Sequence, residues 1–147
     1  MPDAWCLVPG AWCLVPLVSS PMPIIGHGID LIEVARIAQM LDRHGQRFLD
    51  RVFTPAEQAY AASSKRTVEH LAARFAAKEA ALKALGTGWR DGIAWTDVEI
   101  IVAPTGKPSL LLHHAAAEIA KELSIKGWSI SLTHTTTHAI ASVIGES

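Results

Sequence analysis

Apolar and polar positions alternate with a period of two along "PIIGHGIDLIEV", and the run of Ile24, Ile25, Ile29 and Leu31 predicts a β-strand over about 23–30. On such a strand Ile25, His27, Ile29 and Leu31 share one face, and Gly26, Gly28 and Asp30 share the other. The glycines leave bare backbone beside a carboxylate, a place where something can approach closely. The period then changes to about 3.6. A helix is predicted over 31–44, with Val34, Ile37 and Leu41 on one side, continued by Phe48 and Val52. Arg36, Met40, Arg43, Arg47 and Arg51 gather on the adjacent side, provided that Gly45 does not break the line.

Thr54, Pro55 and Glu57 in "TPAEQAYAASS" mark a helix start with a capping box. A second start is expected at Thr67, for a helix running to about Leu85 and stopping at Gly86. "DVEIIVA" and "PSLLLH" predict strands around the turn "PTGK", "AAAEIAKEL" a helix, and "GWSISLTH" and "HAIASVIG" a closing pair of strands. The order β, helices, ββ, α, ββ describes an α+β domain built on an antiparallel sheet packed with a long helix.

Composition narrows the classes. The chain has 147 residues, is 50% hydrophobic and 18% charged, and carries a net charge of −1. That suits one globular domain and gives no signal for nucleic acid or a membrane surface. The N-terminus repeats "AWCLVP" at 4–9 and 11–16 and holds both cysteines, Cys6 and Cys13. Residues 1–21 are expected to be an extension outside the fold, with residues 22–147 as the domain. The cysteine-free body excludes a Cys nucleophile or Cys-ligated metal there and fits a cytoplasmic setting.

The candidate chemistry centres on "RFAAKEAALKALGTG", residues 74–88. Leu71, Phe75, Leu82 and Leu85 make a core stripe, Lys78 falls within it, and Glu79 and Lys83 sit on its shoulder among alanines. The bland reading is a surface Glu–Lys pair four residues apart. The sharper one is a floor of small residues on which a ligand lies. Asp30 and Glu79 as oxygen ligands, with Arg74, Lys78 and Lys83 as nearby cations, suit Mg²⁺ bridging a phosphate-bearing ligand. "HTTTH", 134–138, gives a weak zinc signal, because two such histidines on one strand lie roughly 13 Å apart at ~3.3 Å per residue. His134 is the better ligand contact. "TGKPS" is no P-loop: Ile101 stands where the pattern needs glycine, and Pro108 where it needs Ser or Thr. The Arg36/Met40/Arg43 face is either a solvated stripe or a dock for an acidic helical partner.

Together "GHGIDLIEVARI", "FAAKEAALKALGTG", the "GKP" turn and "SISLTHTTTHAIASVI" resemble the bacterial holo-[acyl-carrier-protein] synthases, the short 4′-phosphopantetheinyl transferases, from about Met22 to Gly145. His27 departs from the small or apolar residue expected there. The resemblance implies a 4′-phosphopantetheinyl transferase-like fold and transfer of the phosphopantetheine arm of coenzyme A to a serine of apo-acyl carrier protein. It implies Mg²⁺ held by Asp30 and Glu79, and phosphate bound by Lys83 and Arg74. Gly86, Pro108, His134 and Thr135 match nucleotide-site positions, and Arg36, Met40 and Arg43 match the carrier-docking face. It further implies a homotrimer with coenzyme A between neighbours. The general base stays open between a carboxylate acting through a metal-bound water and His134. The rival readings are a Mg²⁺-dependent nucleotide phosphohydrolase and a non-catalytic coenzyme A or carrier-protein binder.

Overall fold

The computed structural model describes residues 23–88 and 92–147; the expected extension, residues 1–21, lies outside them. The strand β1 (Ile24–Glu33) leads into helices α1 (Val34–His44), α2 (Gln46–Val52), α3 (Pro55–Ala62) and α4 (Thr67–Ala84). After a short 3-10 turn come β2 (Val98–Val102), β3 (Pro108–Leu112), α5 (His114–Glu122), β4 (Gly127–His134) and β5 (His138–Glu146). The fold is α+β, as expected. The strands form two antiparallel sheets rather than one: β1-β5-β4, and the hairpin β2-β3.

The predicted boundary between β1 and α1 is three residues early. Leu31, Ile32 and Glu33 pair with Ile140, Ala139 and His138 of β5, and these ladder bonds hold them extended. Gly45, at φ 52°, does break the helix line, donating its N–H to Leu41 O before α2 begins. Thr54 and Glu57 form the capping box at α3. Thr67 is not the cap of α4: it is the first helical residue, Arg66 precedes it, and its hydroxyl donates to Ser64 O.

The centre of the molecule is α4, buried almost all round. Ala72, Ala76, Ala77, Ala80 and Ala81 are fully enclosed, with Leu71, Leu82 and Leu85 beside them. Phe75 is half-buried and stacks on Trp95 at 4.9 Å. The alanines are therefore not the ligand floor that the sequence suggested. They let the helix backbone approach β1 closely, and Gly26 and Gly28 are the matching small residues on the strand. A Cβ at Gly28 would lie 1.9 Å from Ala80 O, and one at Gly26 2.0 Å from Ala84 O. What approaches the bare glycines is the protein's own helix.

Lys78 is likewise corrected. It is fully buried, not a phosphate-facing cation. Its ammonium pairs with Glu57 at 2.8 Å and donates to the carbonyls of Trp95 and Val98. Glu57 also accepts from the N–H groups of Thr54 at 2.9 Å and Ile100 at 3.0 Å. Burial lowers the Lys78 pKa, and Glu57 acts against it. The pair is satisfied on both sides, as a buried ion pair must be.

With the glycine face of β1 against α4, its apolar face points outward. Ile25, Ile29 and Leu31 are 40%, 53% and 62% exposed, and His27 among them bonds Ser142 Oγ at 3.0 Å. Among the described residues no helix is long and apolar enough to cross a membrane.

Candidate active site

Asp30 and Lys83 meet where β1 runs beside α4. Lys83 Nζ lies 2.8 Å from Asp30 Oδ1 and donates to Ile29 O at 2.9 Å. Glu79 sits one turn before Lys83, half-buried. Burial raises its carboxyl pKa, and the neighbouring Asp30 charge raises it further, while Lys83 and Arg36 pull it down. Two acids held together this way resist being charged at once, so the position favours an added cation. Arg36 acting on Glu79 also places the basic face of α1 next to this cluster.

A second group forms elsewhere on the chain. Arg74 and His134 line a cleft of about 170 Å³ with Tyr60, His70, Gly106, Pro108 and their apolar neighbours. Arg74 is buried. Its guanidinium lies 4.2 Å from the Tyr60 ring centroid, and Nη1 donates to His70 O at 3.2 Å. Burial lowers its pKa, with Glu57 opposing. Arg74 Nε and His134 Nδ1 are buried without a hydrogen-bond partner. Two orphaned nitrogens in one cleft mark a place for a polar ligand.

The two groups do not share a cleft: Asp30, Glu79 and Lys83 are absent from the lining of the one that holds Arg74, Pro108 and His134. Gly86, at φ 74°, follows α4 and donates to Lys83 O at 3.0 Å, which places it with the first group in sequence and space. Thr135 opens the β4–β5 turn, its hydroxyl accepting from the N–H groups of Thr137 and His138. That turn puts His134 and His138 on separate strands, not on one as the zinc argument assumed.

On α1, Arg36 and Arg43 are exposed and Met40 is half-buried. The break at Gly45 does not end the basic face. Met40, His44, Arg47, Phe48, Arg51 and Trp95 line one open cleft of about 490 Å³.

Comparison with known proteins settles the family. A sequence model of the 4′-phosphopantetheinyl transferase superfamily matches residues 26–141. The chain belongs to this superfamily. The match takes in every site residue named above. A holo-[acyl-carrier-protein] synthase of Solibacter usitatus is 49% identical over 123 residues, 84% of this chain and 98% of that protein. One of Koribacter versatilis is 50% identical over the same shares. The crystal structure of holo-[acyl-carrier-protein] synthase from Neisseria meningitidis superposes with a TM-score of 0.78 at 33% identity, covering 85% of this chain and all of that one. The Helicobacter pylori enzyme in complex with coenzyme A gives 0.71 at 31% identity, covering 81% and 98%.

Tyr60, His70 and Gly106 are cleft residues that sequence reasoning missed. They come from α3, α4 and the β2–β3 turn, and no local spacing links those elements. Only the orphaned nitrogens of Arg74 and His134 draw attention to them.

Proposed function

We propose that this chain transfers the 4′-phosphopantetheine arm of coenzyme A to a serine hydroxyl of an apo-acyl carrier protein and releases adenosine 3′,5′-bisphosphate. The observation that carries it is the Asp30–Glu79–Lys83 cluster standing beside the basic face of α1. A phosphohydrolase would use the same acids but has no need of the Arg36/Met40/Arg43 face, and a simple binder has no need of the acid pair. The names of the relatives and the coenzyme A complex of the Helicobacter pylori protein support the same reading. Incubation with coenzyme A, Mg²⁺ and an apo-carrier protein should add one phosphopantetheine group to the carrier by mass. Hydrolysis of coenzyme A with an unmodified carrier would defeat the proposal.

The reaction forms a bond from the serine oxygen to the phosphorus carrying the pantetheine arm and breaks that phosphorus's bond to the bridging oxygen. The leaving group departs as the nucleotide, and the serine proton must be taken up. Asp30 and Glu79 fit Mg²⁺, since they are two oxygen ligands held together and the Asp30 charge raises the cost of charging Glu79; a bound Mg²⁺ would neutralise pyrophosphate oxygens. Lys83 places a cation at the same spot and holds Asp30 in line. Arg74 and His134 offer donors to the nucleotide end. The α1 face aligns the carrier, which turns much of the barrier into orientation already provided by binding.

The separation of the two site groups and the exposed apolar face of β1 have one common explanation. Ile25, Ile29 and Leu31, with Ile140 and Ile144 on the same face of β5, need covering. Three copies joined through that face would cover it, and a coenzyme A lying between neighbours, as the family resemblance implies, would draw on the acid cluster of one copy and the Arg74 cleft of the next. Sedimentation at micromolar concentration should give a trimer in a cytoplasmic-like buffer, and Ile29→Lys should dissociate it. A monomeric parent chain would overturn this arrangement.

The docking face gives a separable test. Arg36→Ala with Arg43→Ala should raise the KM for carrier protein about tenfold or more, since rim charges act mainly on encounter and orientation. The KM for coenzyme A should change little. Steady-state kinetics with each substrate varied in turn decide it, and an unchanged carrier KM would return the stripe to a solvated face.

A further inference from the structure

The Arg74 cleft holds a ring ladder that the proposed reaction has not yet used. Tyr60 of α3, His70 of α4 and His134 of β4 stack edge to face. The first pair of ring centroids is 5.6 Å apart at 74°, the second 5.3 Å apart at 63°. Arg74 touches two of the rungs, its guanidinium over the Tyr60 ring and its Nη1 donating to the His70 backbone carbonyl. His70 is thus the middle rung, in contact with both residues whose nitrogens are orphaned. We propose that His70 is a positioning residue that takes up a proton when the nucleotide of coenzyme A enters this cleft, so that ligand binding and protonation are coupled there.

Charged and titratable groups face His70 from several elements. From α4 and the residue before it come Arg74, Glu69 and Arg66; from α3 comes Tyr60; from β4 comes His134. Burial, then Arg74, then His134 lower the His70 pKa from the ordinary histidine value; Glu69 raises it and Arg66 adds a smaller lowering. In the free chain these surroundings disfavour the charged ring. The neutral ring packs as an aromatic wall and adds no charge. A phosphate group seated on Arg74 Nε and His134 Nδ1 offsets the part of that lowering that comes from Arg74 and His134. The His70 ring, stacked on His134 beside that phosphate, then accepts a proton and adds a positive charge to its surroundings. By linkage, each proton taken up strengthens binding by up to about tenfold per pH unit as pH falls through the histidine range.

This rests on the reading that the Arg74 cleft holds the nucleotide end of coenzyme A. Calorimetric titration of coenzyme A into the full chain, in buffers of different ionisation enthalpy near neutral pH, measures the protons taken up. His70→Phe keeps the ring stacking and removes the titration. It is expected to reduce the uptake and to flatten the dependence of affinity on pH between about pH 8 and pH 6.5. His70→Ala, which loses the ring as well, is expected to raise the KM for coenzyme A and leave that for carrier protein in place. Dephospho-coenzyme A separates the two phosphate sources: uptake lost with it assigns the 3′-phosphate, and uptake retained assigns the pyrophosphate. If His70→Phe takes up as many protons as the parent, the coupling role is overturned and His70 is packing alone. If Arg74→Ala binds coenzyme A as tightly as the parent, the cleft itself is not the nucleotide site, and both readings fail together.

Discussion

Gly28→Ala is expected to destroy the folded state or leave it barely stable. The added Cβ would sit 1.9 Å from Ala80 O and 2.8 Å from both Ala80 C and Ala84 N. All three are backbone atoms of α4, so no side chain can swing aside. Relief requires α4 to lift from β1, and that opens a seam lined by fully buried alanines and by Leu82. Overpacking in a close-packed core typically costs about 1–3 kcal/mol where side chains give way. Here the backbone must give, so the cost exceeds that range and approaches the whole net stability of about 5–15 kcal/mol. Gly127→Ala is the control, since its nearest neighbour outside the chain-adjacent residues is Glu146 Oε2 at 3.9 Å. Denaturant unfolding should show Gly127→Ala within about 0.5 kcal/mol of the parent and Gly28→Ala without a cooperative transition. A Gly28→Ala midpoint equal to the parent's would show that the seam between β1 and α4 is looser than these distances.

That seam also shows what the sequence could and could not tell. The period-two run at Ile24–Leu31, the capping box at Thr54–Glu57 and the glycine after α4 are local signals, and each became the element it announced. The sequence separated the two faces of β1 correctly but could not say which faces inward. Hydrophobicity alone would bury Ile25, Ile29 and Leu31, whereas the fold buries the glycines. That inversion is set by alanines of α4 far along the chain, Ala80 against Gly28 and Ala84 against Gly26, which only the tertiary structure pairs with them. The same holds for Lys78. Its neighbours in sequence put a charge inside an apolar stripe, and its partner Glu57 is on another helix. Among the candidate site residues, Asp30, Glu79 and Lys83 were legible because two short segments carry them and their company is unusual. Tyr60 and His70 were not, because their meaning depends on rings and nitrogens brought together from three separate elements.

The acid pair gives the other large effect. Glu79→Gln is expected to lower transfer by about a hundredfold or more, at the upper end of the 10–100-fold typical of losing even an outer-shell metal partner. Asp30→Asn should behave alike and also release Lys83. The sign of the accompanying stability change separates a metal site from a merely structural pair. Burial and the Asp30 charge raise the Glu79 pKa in the fold. A raised carboxyl stabilises the fold fully below its unfolded pKa, and this contribution is lost as pH rises through the folded pKa. At neutral pH, without metal, Glu79 is therefore a charge that the fold tolerates at a cost. Glu79→Gln removes it, so the metal-free variant should melt at or above the parent's temperature at pH 7, and the difference should shrink in acid. Adding Mg²⁺ reverses the order. The parent gains stability by mass action on the folded state, more at neutral than at acid pH, and the variant gains little. Differential scanning calorimetry with and without Mg²⁺ at both pH values reads all four cases. A variant that melts well below the parent without metal would make Glu79 a structural group. A parent whose melting temperature ignores Mg²⁺ would remove the reason for pairing these two acids at all.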